Sequence, residues 1–148
     1  MAEQAPIAIP AAGLRIVVVT PEQTMVDALT NFVALPLYDG ELGVAPGHAP
    51  MIGRLGYGEL RIGHRPGEQS FYVDGGFVQV ADNVVSVLTN RAIPANRLDA
   101  GAIRDQIRQT LATPAAGEDA IVRRDRAIAQ SRAQLRATRG QGSTPAAH

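Results

Sequence analysis

The side chains best suited to chemistry in this chain of 148 residues are its histidines and one pair of carboxylates. The histidines, His48, His64 and His148, are far apart in sequence, and no two have a spacing that suits zinc. Asp39 and Glu41 could act as general acid and base only if the fold brought a substrate between them. A metal site would require both carboxylates and His48 to fold together. We favour the simpler interpretation, in which all three are solvated turn residues.

Other common chemistries are excluded by composition. The chain contains no cysteine and no lysine, which removes disulfides, thiolate metal sites and lysine-dependent phosphate loops. The Gly-x-Gly run from Gly56 to Gly58 lacks the strand–turn–helix context of a dinucleotide site. The C-terminal arginines have no interleaved aromatic residues, so we expect no binding to nucleic acid. The sequence therefore predicts a protein without a catalytic residue, cofactor or metal.

Residues 39–51 form the most informative segment, because glycine and proline are concentrated there. Glycine adopts backbone angles closed to other residues, and proline fixes its own φ while keeping its predecessor extended. This composition predicts a shaped surface loop on a rigid scaffold, which is a common location for binding residues. From the residues alone, His48 in such a loop is an anchor for backbone carbonyls more often than a contact residue.

From Leu14 to Leu88 apolar and polar residues alternate with a period of two, which is typical of strands with one buried face. Turn-forming runs separate the segments, among them Asp74-Gly75-Gly76 and Ala81-Asp82-Asn83. Short strands at this spacing predict an antiparallel sandwich or barrel. We expect an aliphatic core whose few large rings are Phe32, Phe71 and Phe77.

After Pro94 the apolar residues recur at helical spacing. Asn96 and Asp99 resemble a capping arrangement for a first helix, and residues 113–117 break it. A second helix follows, which Gly140 could close. Two helices with a short connector form an αα-hairpin.

The second helix has a thin apolar face, with large side chains only at Ile121, Ile128 and Leu135. Its alanines provide helix propensity but little surface to bury. Three such side chains, at roughly 1.5–3 kcal/mol each, cannot offset the ordering of about 20 residues at ~1–2 kcal/mol apiece. The hairpin therefore depends on docking, either on its own β domain or on a partner.

The net charge is zero, but it is unevenly distributed. Residues 1–90 hold four arginines against nine carboxylates, and residues 91–148 hold ten arginines against five carboxylates. This shift predicts a boundary near residue 90. We predict an α+β chain with an N-terminal antiparallel β-sandwich and a C-terminal two-helix αα-hairpin. The expected divisions are a flexible extension over 1–13, the sandwich over 14–90, the hairpin over 91–139 and a disordered tail over 140–148.

No apolar run approaches the ~20 residues needed to span a bilayer. The first residues also lack the basic start and long apolar stretch of a signal peptide. We therefore expect a soluble, intracellular protein.

The segment from Gly40 to Pro50 resembles the Gly-Glu-x-Gly-x-x-Pro-Gly-His-x-Pro stretch of the epsilon subunit family of bacterial F-type ATP synthases. Four further segments are similar to that family in the same order, and together the likeness covers residues 14 to about 138. They are residues 17–22, 55–62, 71–80 with their central Gly75-Gly76, and 84–93.

The resemblance implies a non-catalytic subunit of the central stalk (the rotor), with the gamma subunit and the ring of c subunits as partners. It also implies a peripheral position on the cytoplasmic face of the inner (plasma) membrane, with membrane contact only through the complex. The residues matching the family's gamma contacts are Thr20, His48 and Met51. The residues matching its ring contacts are Asp39, Gly40, Glu41 and Leu42.

The resemblance further implies that the hairpin can rise toward acidic surfaces of the alpha/beta catalytic head and inhibit ATP hydrolysis. The arginines we assign to that role are Arg123, Arg124, Arg126 and Arg132. Some family members bind ATP through an Ile/Leu-Asp-x-x-Arg-Ala motif. Leu98-Asp99 begins the match, but Ala102 and Ile103 stand where Arg-Ala should be, so we expect no cofactor and no regulatory ATP.

Two alternatives belong to other classes of protein. The first is a stand-alone β-sandwich binding module whose helices form an oligomerisation arm. The second is an enzyme that uses Asp39, Glu41 and His48, which would need a pocket with a bound metal around the histidine.

Overall fold

The computed structural model describes residues 13–63 and 69–142, with the backbone alone for 139–142. The described strands are β1 Leu14–Val19, β2 Thr24–Thr30, β3 Val33–Leu37, β4 Gly40–Val44, β5 Met51–Ile62, β6 Gln69–Ala81, β7 Val84–Leu88 and β8 Ala92–Pro94. A 3-10 turn spans Ala95–Arg97, and the helices are α1 Ala100–Ala112 and α2 Glu118–Gly142. The predicted α+β class, a β domain followed by a helical hairpin, is confirmed.

The strands form two layers because β5 and β6 each take part in both. The first layer has the order β2-β1-β7-β6-β5 and uses the second half of β6 and the first half of β5. The second layer has the order β8-β6-β5-β3-β4 and uses the other halves. Apolar side chains from both layers form one core cluster, so the layers lie face to face. The β1–β7 pair is parallel, and the other pairs are antiparallel.

The Asp74-Gly75-Gly76 run lies inside β6, so our prediction of a turn between strands is wrong. Gly76 has φ of 107°, and a Cβ there would lie 1.9 Å from the carbonyl oxygen of Leu88. Glycine is the residue that permits both this backbone conformation and this close approach. We infer that the run allows one continuous strand to pass from the second layer to the first.

The core is aliphatic, as expected, but one of the three predicted rings is outside it. Phe71 is buried and Phe32 is half-buried, whereas Phe77 is 59% exposed. Val78 and Val80 alternate with it and are buried. Because successive side chains of a strand point to opposite faces, Phe77 lies on the outer face of the first layer.

The helices differ from the prediction at their ends. Asp99 caps α1, since its Oδ1 accepts hydrogen bonds from the backbone N–H groups of Gly101 and Ala102. Asn96 instead lies in the 3-10 turn. The connector after Ala112 breaks the hairpin as predicted. Gly140 does not end α2, because a glycine within a helix costs only about 1 kcal/mol and no proline follows before residue 145.

The sheet also extends beyond the boundary we expected. β8 lies past residue 90 and pairs with β6, opposite Phe71, Tyr72 and Val73. The boundary near residue 90 was predicted from the distribution of charged residues. That distribution reflects surface composition and gives no information on strand pairing, so it could not indicate β8. Residues 1–12 and 143–148, which include most of the predicted extension and tail, lie outside the described residues.

Candidate functional site

The predicted ring contacts lie on the hairpin formed by β3 and β4. Asp39, Gly40 and Glu41 are exposed at or beside its tip, while Leu42 is half-buried and packs on the core. Glu41 Oε1 accepts a hydrogen bond of 2.7 Å from Arg61 on β5, which makes an ion pair. The tip is therefore a polar surface on a rigid two-strand support.

The predicted gamma contacts His48 and Met51 lie at the other end of β4. His48 is half-buried in the β4–β5 loop, where its Nδ1 is 2.7 Å from the carbonyl oxygen of Ala49. The backbone N–H of Gly47 donates to Asn83 Oδ1 at 2.7 Å, which ties this loop to the β6–β7 turn. Met51 begins β5 and packs on the core. The loop is thus fixed against the end of the first layer.

Thr20, the third predicted gamma contact, lies at a different corner of the first layer. It follows β1, and its backbone N–H and Oγ1 both donate to the carbonyl oxygen of Gln23. Its 7% exposure leaves little side chain for a partner, so its local role is to close the β1–β2 turn. The strand register separates it from His48: Val19 pairs with Leu88, whereas Asn83 lies at the opposite end of β7.

Between these corners, the outer face of the first layer carries exposed apolar side chains. Ile52, Phe77 and Leu88, on three adjacent strands, are 75%, 59% and 56% exposed, and we call them the apolar strip. Phe77 pairs directly with Leu88, and Leu88 pairs with the half-buried Val19. Exposed apolar side chains clustered in this way are typical of protein–protein contact surfaces.

The outer face of the second layer is covered by the second helix. Tyr72 of β6 is fully buried in a small cluster with Ala133 and Ala137 of α2, while its neighbours Phe71 and Val73 point into the main core. Because alanine side chains are small, the helix backbone lies close to the tyrosine ring. We call the contact of Tyr72 and Asp74 with Gln130, Ala133 and Ala137 the hairpin seam.

A buried carboxylate provides the polar part of the hairpin seam. Asp74 Oδ1 accepts a hydrogen bond of 2.9 Å from Gln130 Nε2, and Oδ2 accepts one of 2.9 Å from Arg91 Nε. The backbone of Asp74 is also bonded, its N–H to Thr89 Oγ1 and its carbonyl to Asn90 Nδ2. Each carboxylate oxygen thus has a donor, which offsets the cost of burying the charge.

Tyr72 is the group with the most strongly perturbed ionisation in the described chain. Burial raises the pKa of its hydroxyl above the ordinary value, and the nearby Asp74 carboxylate raises it further. Its hydroxyl oxygen has no hydrogen-bond partner. The nearby side chains of Arg91 and Gln134 lower the pKa of Tyr72 to a smaller extent, although neither forms a hydrogen bond with its hydroxyl oxygen.

The four arginines assigned to the hairpin do not share one face in this arrangement. Arg126 lines a crevice of about 460 Å³ between the β domain and α2, beside Asp74 and Gln130. Arg123 and Arg124 line a separate crevice at the connector of the hairpin. Arg132 is exposed.

Sequence reasoning missed the hairpin seam and the apolar strip. Asp74 and Gln130 are 56 positions apart, and nothing in the local pattern of either residue indicates the other. One feature of the sequence could have indicated that the second layer is covered on its outer face. Phe71, Tyr72 and Val73 are consecutive and large, which is typical of a strand covered on both faces.

Within the described ranges, no group of three or more histidine, aspartate and glutamate residues is placed to hold a metal ion. His64 and His148 lie outside those ranges. Neither described helix has the length and apolar character needed to cross a membrane.

Comparison with known proteins identifies the family. Residues 13–95 match the family described as ATP synthase, Delta/Epsilon chain, beta-sandwich domain. The chain is 50% identical over 127 residues to the ATP synthase epsilon chain of Rhodopirellula baltica, an alignment that covers 86% of this chain and 99% of that relative.

Two solved structures share the fold. A chain in the cryo-EM structure of the Euglena gracilis mitochondrial ATP synthase (OSCP/F1/c-ring) superposes with a TM-score of 0.77 at 20% identity, covering 90% of this chain and 85% of that one. A chain in the central stalk/c-ring structure of the Tetrahymena thermophila mitochondrial ATP synthase gives 0.61 at 17% identity, covering 84% and 96%. Because residues 13–95 match the family and the chain is 50% identical to the Rhodopirellula baltica protein, the chain belongs to the ATP synthase epsilon chain family. Members of this family are non-catalytic stalk subunits of a membrane-associated complex.

Proposed function

We propose that this chain joins the gamma shaft of a proton-translocating F-type ATP synthase to its ring of c subunits, so that the two rotate together. Family membership supports the rotor role. The observation that carries the assignment of surfaces is the apolar strip, because these side chains are exposed on a rigid sheet whose other face is the core. A protein that transmits torque requires two such rigid faces for two partners.

The gamma shaft binds the outer face of the first layer. Ile52, Phe77 and Leu88 provide the apolar centre of this interface. Gln79 is the cross-strand partner of Ile52 and Arg54 is that of Phe77, so polar side chains adjoin the apolar centre, as in protein interfaces generally. His48 and Met51 lie at one end of the layer and the Thr20 turn lies at another corner, so all three border the proposed interface.

The ring of c subunits binds the tip of the β3–β4 hairpin. Asp39, Gly40 and Glu41 offer carboxylates and backbone groups to polar loops, and Leu42 holds the tip on the core. The Glu41–Arg61 ion pair limits the motion of the tip. Contact with the membrane on the cytoplasmic face of the inner (plasma) membrane then occurs only through the complex.

The helical hairpin acts as a brake on ATP hydrolysis when it leaves the β domain. Arg123, Arg124, Arg126 and Arg132 then meet acidic surfaces of the alpha/beta head. In the docked arrangement these arginines point in different directions, so the docked hairpin is the non-inhibiting form. The chain requires no nucleotide for this role.

The shaft interface is tested by placing a charge in the apolar strip. Leu88→Glu should weaken binding to purified gamma subunit by at least tenfold, because a carboxylate would be buried against an apolar surface. Val122→Glu is the matched control, since Val122 on α2 is equally exposed at 56% and lies outside the strip. Equal binding by both variants would overturn the assignment of this face.

A further inference from the structure

One aromatic ring of the β domain is fully buried beneath the docked hairpin. Tyr72 lies on the outer face of the second layer, and the side chains that cover it from α2 are Ala133 and Ala137. Ile93 of β8 and Leu98, which precedes α1, pack against the same cluster. Burial of the ring therefore favours the docked position of α2.

The hydroxyl of the same residue has the opposite effect. It is buried without a hydrogen-bond partner, while in water it would be fully hydrated. Arg91, whose guanidinium carbon lies 5.8 Å from the ring centre, donates its Nε hydrogen to Asp74 instead. A buried hydroxyl without a partner costs free energy, and departure of α2 would remove that cost.

We propose that the Tyr72 hydroxyl is a release element of the hairpin, which lowers the stability of the docked form so that α2 leaves the β domain readily. Its neighbour Asp74 accepts a hydrogen bond from Gln130 in the docked form, but the cost of losing that bond on release is limited. When Gln130 departs, Asp74 remains paired with Arg91 and bonded to Thr89, so no buried charge is left alone. Both features bring the docked and released forms closer in free energy, as a switch requires.

The consequence for ATP hydrolysis depends on the braking role proposed above, but the docking equilibrium itself does not. The equilibrium can be measured on the free full-length chain. Hydrolysis can be measured separately after the same variant is assembled into the complex.

The test is Tyr72→Phe, which keeps the ring and removes the hydroxyl. We expect amide hydrogen exchange of residues 127–138 to slow by about tenfold, because the docked form no longer buries an unpaired hydroxyl. Tyr38→Phe is the matched control, since Tyr38 is 72% exposed and its hydroxyl is accessible to water, and it should leave exchange unchanged.

Tyr72→Ala removes the ring, and its hydrogen exchange provides the reference rate for a helix that has left the β domain. Exchange in Tyr72→Phe below the wild-type rate supports the proposal. Exchange equal to the wild-type rate, or between wild type and Tyr72→Ala, overturns it. If exchange slows while ATP hydrolysis by the assembled variant is unchanged, the release element stands and the braking role is contradicted.

Discussion

Gln130 of α2 donates a hydrogen bond of 2.9 Å to Asp74 of β6, and the second oxygen of the same carboxylate is 2.9 Å from Arg91. The charge of Asp74 is thus neutralised within the β domain, and the helix contributes a neutral amide. This division determines how each partner should respond to mutation. Loss of Gln130 affects docking, whereas loss of the Asp74 charge affects the β domain itself.

Gln130→Ala should weaken docking of the hairpin and leave the β domain intact. The loss is one hydrogen bond to a charged group, about 1–2 kcal/mol, and Asp74 keeps its bond to Arg91. Hydrogen exchange of α2 should therefore become faster while exchange of β1 and β7 stays the same. Gln106→Ala, on an exposed position of α1, is the control. Unchanged exchange in α2 would mean that the hydrogen bond does not hold the helix.

Asp74→Asn should lower the free energy of unfolding of the whole chain by about 1–3 kcal/mol, because Arg91 loses its charged partner at a buried site. Chemical denaturation measures this change. Asp82→Asn is a suitable comparison, since Asp82 is exposed in the β6–β7 turn at φ of 51° and asparagine tolerates that conformation. A loss in Asp82→Asn as large as in Asp74→Asn would argue against a special role for the buried carboxylate.

Gly76→Ala should be among the most damaging single substitutions in the β domain. Both the positive φ and the 1.9 Å approach of Leu88 oppose a side chain, and we expect a loss of about 4 kcal/mol or more in the free energy of unfolding. Gly47→Ala separates the two effects, because Gly47 has φ of 85° but open space around its Cβ position. It should lose only ~1–2 kcal/mol, from backbone conformation alone. Similar losses in both variants would show that the close approach to Leu88 is not decisive.

We expect the Arg15–Asp27 pair to make the stability of the fold depend on pH in the acid range. The hydrogen bond from Arg15, and to a smaller extent its charge, lower the pKa of Asp27 below its ordinary value of 3.8. The pKa of Asp27 is lower in the folded chain than in the unfolded chain. The pair therefore stabilises the fold at pH values above the pKa of the unfolded state, and this contribution is lost as the pH falls through the pKa of the folded state. NMR titration should find the pKa of Asp27 raised by Arg15→Gln. An identical titration in both proteins would show that the pair does not form in solution.

The sequence allowed prediction of those features that depend on local patterns. The alternation of apolar and polar residues predicted strands, and the helix-breaking residues from Thr113 to Gly117 predicted two helices in a hairpin. The glycine-rich run at residues 74–76 was misread because the residues that form a turn also form a bend within a strand. Phe77 was placed in the core because of its size, although its position in the alternation indicates the outer face.

The hairpin seam could not be predicted from local pattern because its members are ordinary within their own segments. We interpreted the alanines of α2 as residues that favour a helix but have little side-chain surface to bury. Ala133 and Ala137 are nevertheless fully buried against Tyr72. Their value comes from the close approach they permit, which depends on the position of a strand sixty residues earlier in sequence. The assignment of Thr20, His48 and Asp39 to particular partners likewise came from family resemblance, since each is a turn or loop residue by its own chemistry.

The central claim, that two separate faces of this β domain contact two different rotor components, can be tested by cross-linking in the assembled complex. The chain contains no cysteine, so His48→Cys and Asp39→Cys each introduce a single thiol for a short cross-linker. We predict that the His48→Cys variant links to the gamma subunit and that the Asp39→Cys variant links to a c subunit. Links from both positions to the same component, or to the alpha/beta head, would contradict the account.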